Sequence, residues 1–433
     1  GEIFKNFYKG REKRNSKRWA TPRRSEIVAE LKKLEMLPAI YFIFSRKGCD
    51  EARDAMVRYV GSLNNKNEGK KARAYAEEKF ELLTVEEKKI LGVDSLLEAL
   101  EKGFASHHAG LLPLFKQTIE ELFSLGLLKL VFATETLAVG VNLPAKSVVI
   151  EKLTKFNGES HDLLRPSQFT QLTGRAGRRG IDEEGYSIAC WSPFVSFNEV
   201  VELATSKDFP LISAFTPTYN MLANLLSTRS EKEAAKLLAN SFAQFQWVRN
   251  TRDINSGLLE EVQLRRNVLE ATGLADGWSL TEIGMPLTKI FNESDLLVTR
   301  AISDGIFDGQ PPEELAALVS CLIFRSRGNE TRGRKSVRSE NFRNESITEL
   351  MLLNDEIERT EARFGIQSNS RPDSGFAKVV FDWVSGRTLG EVLTKEFTGG
   401  EFVRNVRLSI DLLKQISNLV PPETAKLALQ TVE

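Results

Sequence analysis

Three strings in this sequence hold residue types that can do chemistry. The first is Gln171–Asp182, QLTGRAGRRGID. Arg175 and Arg178 lie three apart in what reads as a helical stretch, which predicts that they share one face. Gly174, Ala176 and Gly177 let phosphates and neighbouring backbone come close. Guanidinium forks so spaced suit a triphosphate, whose charge they stabilise during phosphoryl transfer. The competing reading is an arginine-rich, glycine-containing turn on a solvated surface. The second string is Val131–Ala145, VFATETLAVGVNLPA. It predicts a buried strand ending in Thr134, Glu135 and Thr136, followed by Gly140 and Asn142. Hydroxyls and N–H groups at a strand end can bind phosphate oxygens, although an ordinary strand-to-loop turn has the same composition. The third is Ser106–Phe123, with adjacent His107 and His108. Adjacent positions do not share a helix face and no third ligand is near, so a polar cluster at a loop is favoured over a metal site.

The elements that must position these strings follow from pattern. AIYFIFS (39–45), LLKLVFAT (127–134), SVVIEK (147–152) and GYSIACW (185–191) are short apolar runs, the pattern of buried parallel strands. Helices are predicted over 25–37 with Ser25 as N-cap, over 49–60, through the Lys/Glu-rich 62–103, and over 114–125 and 166–176. Strand–helix alternation at this spacing means a parallel α/β sheet, with ligands at the carboxyl ends of its strands. That directs attention to Ser45, to 134–142 and to the loop after Lys152. From about residue 208 the pattern turns helical, with a small β-wing expected over 276–291.

Composition narrows the classes. The 433 residues suggest two to four domains at roughly 150 residues each. With 59 Lys+Arg against 59 Asp+Glu, bulk charge alone holds this chain on neither nucleic acid nor membrane. The zero hides unevenness: residues 1–37 carry eleven basic and five acidic residues, and two basic stretches stand out, Lys5–Arg24 and Arg325–Arg343, the latter with seven basic and two acidic residues. Each basic stretch reads as a solvated tail or loop, or as a phosphate-contacting arm. Cys49, Cys190 and Cys321 form no CxxC pair, which fits a reducing cytoplasm. No run reaches the roughly 18 apolar residues of a membrane span.

Taken together, the motifs resemble the second RecA-like domain of superfamily-two helicases, in the Ski-type DExH branch that includes the HelY-like proteins. FIFSRKGCDEA (42–52) is similar to motif IV, SHHAGLLP to the motif after it, FATETLAVGVNLPAK to motif V and QLTGRAGRRGID to motif VI. SAFTPTYNMLANLL resembles the start of the family's winged helix. EELAALVSCLIF, GFAKVVFDWVSG and GEFVRNVRLSIDLLKQI resemble its helical DSHCT-type domain. The resemblance implies a basic linker at 1–37, a RecA-like parallel-sheet domain at 38–207, a winged helix at 208–290 with a shortened or missing arch insertion, and an all-α helical bundle at 291–433. It implies that Gln171, Arg175 and Arg178 face ATP, the arginines as fingers, with Gly140 and Asn142 near the nucleotide. Ser45, Arg46, Thr134 and Thr136 would touch the nucleic-acid backbone. Arg404 and Arg407 would lie on a ratchet helix over about 401–419, although Arg407 and Asp411 are spaced to pair with each other. Between motifs V and VI the family places a duplex-separating β-hairpin, for which Phe156 and Asn157-Gly158 supply turn chemistry.

The chain contains no GxxxxGK[ST] string, and DEAR at 50–53 opens a helix instead of ending a strand, unlike a true DExx box. The resemblance therefore implies an ATP-dependent 3′-to-5′ RNA helicase, with DNA as the alternative substrate, that translocates on single strands and unwinds duplexes, and whose ATP and Mg²⁺ are held mainly by a first RecA-like domain of the same protein. This chain alone would be inactive. RNA-degradation machinery is the implied partner. The other reading is a non-catalytic RNA-binding adaptor on a helicase-like scaffold, against which the intact Gln171, Arg175 and Arg178 count.

Overall fold

The computed structural model describes residues 22–138, 143–156, 161–206, 209–253, 256–326, 344–367, 371–393 and 397–432. Nearly all of the two basic stretches, with Gly140, Asn142 and the Asn157-Gly158 turn, lies outside them. The chain divides into two units, Gly1–Phe209 and Pro210–Glu433.

In the first unit the apolar runs become β1 (Ala39–Phe42), β3 (Leu130–Ala133), β4 (Ser147–Ile150) and β7 (Tyr186–Ala189). They join β2 (Phe104–His107) in a five-stranded sheet of order β2-β3-β1-β4-β7, parallel throughout. All residues of β1 to β4 are buried, because helices cover both faces of the sheet. One face packs Ile40, Phe42 and Val131 with Phe80, Leu100 and Ile119. The other packs Tyr41 and Phe132 with Ile27, Val28, Leu31 and Met56. The helix Arg24–Lys33 thus belongs to this sheet's core, with Arg23 and not Ser25 at its N-cap. A two-stranded hairpin, β5 (Thr154–Phe156) and β6 (His161–Leu163), leaves the sheet after β4.

β2 was not expected from the sequence. Its four residues include Ser106 and His107, and the histidine pair read as a loop. Instead His107 ends the strand and both histidines are buried.

Among the described residues of the second unit the regular elements are helices apart from one small hairpin, β8 (Ala275–Asp276) with β9 (Ser279–Leu280), turning at Gly277. The remainder of the expected wing, Glu282–Lys289, winds as a 3-10 helix. One apolar core runs from Tyr219 to Ile416, and Leu287 and Ile290 share it with Leu296 and Leu318. A second cluster gathers Phe376, Val380 and Phe402.

That core encloses a carboxylate with a pH signature. Asp295 is buried and accepts from the N–H groups of Asn220 and Leu296, both at 2.7 Å. Burial outweighs those bonds and pushes its pKa up to about 6. The unfolded value is about 3.9, so between the two the folded state holds a proton that the unfolded chain has lost. The contribution of this group to stability therefore falls as pH rises from about 4 to about 6. Compared with Asp295→Asn, the wild type should lose on the order of 3 kcal/mol of relative stability between pH 4 and pH 7. Paired melting curves across that range read the difference, and a gap that stays constant with pH would count against a protonated Asp295.

Candidate nucleotide and nucleic-acid site

In a parallel sheet the carboxyl strand ends carry the loops that bind ligands, and here they bring the chemistry-bearing strings side by side. β1 lies between β3 and β4, so the loops after these three strands are neighbours. Ser45 follows β1 and caps the helix Arg46–Tyr59, its Oγ accepting from the N–H of Gly48 at 3.1 Å. Arg46 is half-buried, and a Cβ at Gly110 would lie 3.5 Å from its Cδ, so the loop after β2 runs against it.

The loop after β2 is fixed by a polar network. His108 Nδ1 accepts from the N–H of Gly110 at 3.1 Å, which leaves the proton on Nε2, 3.1 Å from Asp50 Oδ2. Ser106 donates to Asp50 Oδ1 at 2.7 Å and Arg53 donates to Ser106 Oγ at 3.1 Å. Burial disfavours the Asp50 carboxylate, but the bonds from His108 and Ser106 prevail and hold its pKa below the usual value. The acid of the DEAR string is thus committed to holding the histidine loop. His107 pairs with Glu120 at 2.7 Å, and burial lowers its pKa. Among the described residues no group of three or more His, Cys, Asp or Glu could hold a metal ion.

After β3, the N–H of Thr134 donates to His107 at 3.2 Å, and the Thr134 and Thr136 hydroxyls lie 2.8 Å apart. Thr134 is buried and Thr136 exposed. The 3-10 turn Glu135–Ala138 follows. Gly140 and Asn142 fall outside the described residues.

The helix Pro166–Thr173 carries exposed Gln171 in its last turn and then stops. Arg175 and Arg178 therefore do not share a helical face, contrary to expectation. The cause is a competing bridge: Ala145 N–H donates to Arg175 O at 2.9 Å, and Gly177 N–H to Ala145 O at 2.7 Å. The bridge draws the chain out of the helix, and Gly177 at φ 87° turns it onward. It also lashes the motif VI string to the motif V string. The Arg175 guanidinium donates to the Ala138 carbonyl. Arg178 grips Asp182 with two parallel bonds of 2.8 and 2.7 Å, and its own N–H adds a third at 3.0 Å. The Arg178 guanidinium holds the Asp182 carboxyl down at about pKa 2. Asp182 received no role from the sequence, although its i,i+4 spacing from Arg178 was the available signal.

In the second unit the helix Gly399–Ser417 buries Phe402, Leu413 and Ile416, while Val406 is only half-buried. Arg404 and Arg407 are exposed, and among the described residues neither makes an ion pair. Asp411, the expected partner of Arg407, accepts from Gln415 at 2.9 Å instead.

Residues 52–180 match the family model described as the helicase conserved C-terminal domain, and residues 277–431 match the DSHCT (NUC185) domain. The probable helicase HelY of Mycobacterium tuberculosis is 46% identical over 237 residues, 55% of this chain and 26% of its own length. The antiviral helicase SKI2 of Saccharomyces cerevisiae is 40% identical over 207 residues, 46% of this chain and 16% of its own. The two matched domains and these relatives make the chain similar to the C-terminal portion of Ski-type superfamily-two helicases. The DExH-box ATP-dependent RNA helicase DExH15 of Arabidopsis thaliana is similarly related, at 38% over 252 residues, 53% of this chain and 21% of its own. The matched region spans about a quarter or less of the length of these curated relatives. In this chain the parallel-sheet region matched as a helicase domain precedes the helix-rich region matched as DSHCT. Among the described residues no helix is long and apolar enough to cross a membrane.

Proposed function

We propose that this chain is the C-terminal part of an ATP-dependent RNA helicase that moves 3′-to-5′ on a single strand and separates duplexes. The observation that carries the reading is the Ala145–Ala176 bridge, which sets Arg175 and Arg178 on one rigid platform with the motif V segment. Two guanidiniums so held are preorganised for the charge of a transferring phosphoryl group. In this reading ATP is cleaved between this sheet domain and a first RecA-like domain, which supplies the phosphate loop and the Mg²⁺ ligands. Gln171, Arg175 and Arg178 face the nucleotide, with Gly140 and Asn142 beside it. Ser45, Arg46, Thr134 and Thr136 follow the backbone of the bound strand, and the β5–β6 hairpin meets the duplex. Arg404 and Arg407 contribute charge from the ratchet helix, to phosphate or to base faces.

ATP turnover by the full-length protein tests this. RNA should stimulate it more than DNA of the same sequence, and this 433-residue chain alone should show no turnover. Full-length protein that hydrolyses no ATP with either nucleic acid would favour a non-catalytic adaptor. Hydrolysis by the isolated chain would remove the need for the first RecA-like domain.

A further inference from the structure

The turn Glu135–Ala138 is held at both ends by side chains from elsewhere. At its start, Glu135 accepts an ion pair from Lys155, the central residue of β5. At its end, the Ala138 carbonyl accepts from the Arg175 guanidinium. Between them Leu137 and Ala138 are buried, so the turn is a packed piece of the core and not a slack loop. Among the described residues the hairpin it touches pairs three residues per strand, and an isolated two-stranded hairpin is marginal in water. Its base is fixed by buried Leu153 and Leu164, joined by an N–H···O bond of 2.8 Å. Beyond that base, Lys155 ties its first strand to the loop after β3.

We propose that this turn couples the nucleotide to the hairpin, with Glu135 and Lys155 as positioning residues that set the hairpin's pitch against the duplex. The proposal rests on the reading above, in which Arg175 faces ATP. A phosphate oxygen is a stronger partner for guanidinium than a neutral carbonyl. As nucleotide arrives, Arg175 exchanges the Ala138 carbonyl for phosphate, and the turn is released at that end. Because the turn is packed, it moves as a unit between two arrangements, and the ion pair carries Lys155 and β5 with it. Neither Glu135 nor Lys155 needs to touch ATP.

The test uses full-length protein, an RNA duplex with a 3′ single-stranded tail, and the corresponding single strand. Duplex separation and single-strand-stimulated ATP turnover are measured on the same preparations. Lys155→Met should keep turnover within about 2-fold of wild type while separating duplex on the order of 10-fold more slowly, within the range of a typical coupling between sites. Lys155→Arg should behave as wild type, and the exchanged pair Glu135→Lys with Lys155→Glu should recover much of the loss. A merely structural role would lower both activities together, and that result overturns the proposal. So does a Lys155→Met protein that separates duplex at the wild-type rate, or a folded exchanged pair that recovers nothing. Wild-type protein without RNA-stimulated turnover would instead remove the helicase reading itself.

Discussion

Arg178→Ala in the full-length protein is expected to lower nucleic-acid-stimulated ATP turnover by roughly 10³-fold or more, the scale of a lost arginine finger. The loss should fall on kcat, because the guanidinium serves charge that develops in the transition state and not ground-state binding. Arg178→Lys should rescue little. An ammonium cannot reproduce the two parallel bonds that Arg178 makes to Asp182, and that grip is what aims the side chain. The fold should tolerate the change. Arg178 is partly exposed, and Asp182 keeps the backbone N–H bond at 3.0 Å. A melting curve near that of the wild type, beside collapsed turnover, is the expected pair of results. Turnover within tenfold of wild type would mean that Arg178 is not a finger and that its bonds to Asp182 are its whole purpose.

What the sequence made legible depended on whether a residue's partners are local. The strands β1, β3, β4 and β7 stand out because each is a continuous apolar run, and burial on both faces demands nothing else of them. β2 is hidden for the converse reason. Ser106, His107 and His108 are polar, and bonds to Asp50, Arg53 and Glu120 offset most of the cost of burying them, with His107 Nδ1 left without a partner among the described residues. Those partners lie up to 58 residues away, and nothing in the string SHHAG announces them. The arginine string shows the same limit. Its residue types were readable, but its conformation was not, since the bridge that ends the helix at Thr173 comes from Ala145. The ion pair beside the base of the hairpin is longer-range still. Arg24 reaches Glu151 at the base of the hairpin with bonds of 2.7 and 3.0 Å. A basic residue at the end of a Lys/Arg-rich segment invites a reading as a phosphate contact, and this one is committed to the fold.

Dependence on distant backbone also makes Gly185→Ala a demanding substitution, although Gly185 has no side chain and is assigned no ligand. It opens the turn into β7, directly behind the motif VI string. A Cβ at Gly185 would lie 2.6 Å from the nitrogen of Gly177 and 2.7 Å from the Ala176 carbonyl carbon. Those atoms are backbone, so no rotamer change relieves the clash. Either the start of β7 or the Ala176–Arg178 segment must move. β7 is held along its length by β4, with Tyr186 N–H bonded to Lys146 at 3.1 Å and Cys190 N–H to Ile150 at 3.0 Å. The opposing segment is held by the two-bond bridge to Ala145. It yields more readily, and it carries Arg175 and Arg178 with it. Overpacking of this kind costs about 1–3 kcal/mol, which leaves a folded protein with a lowered melting temperature. The catalytic cost is larger, because a displacement of about 1 Å in a positioned group can reduce a rate 10²-fold. Gly185→Ala is therefore expected to lose on the order of 10² in ATP turnover, while binding to single-stranded RNA without nucleotide stays near wild type. Proportionate losses in stability, RNA binding and turnover would show that the alanine unfolds the domain instead. Unchanged turnover would show that the arginine platform is not held where catalysis needs it.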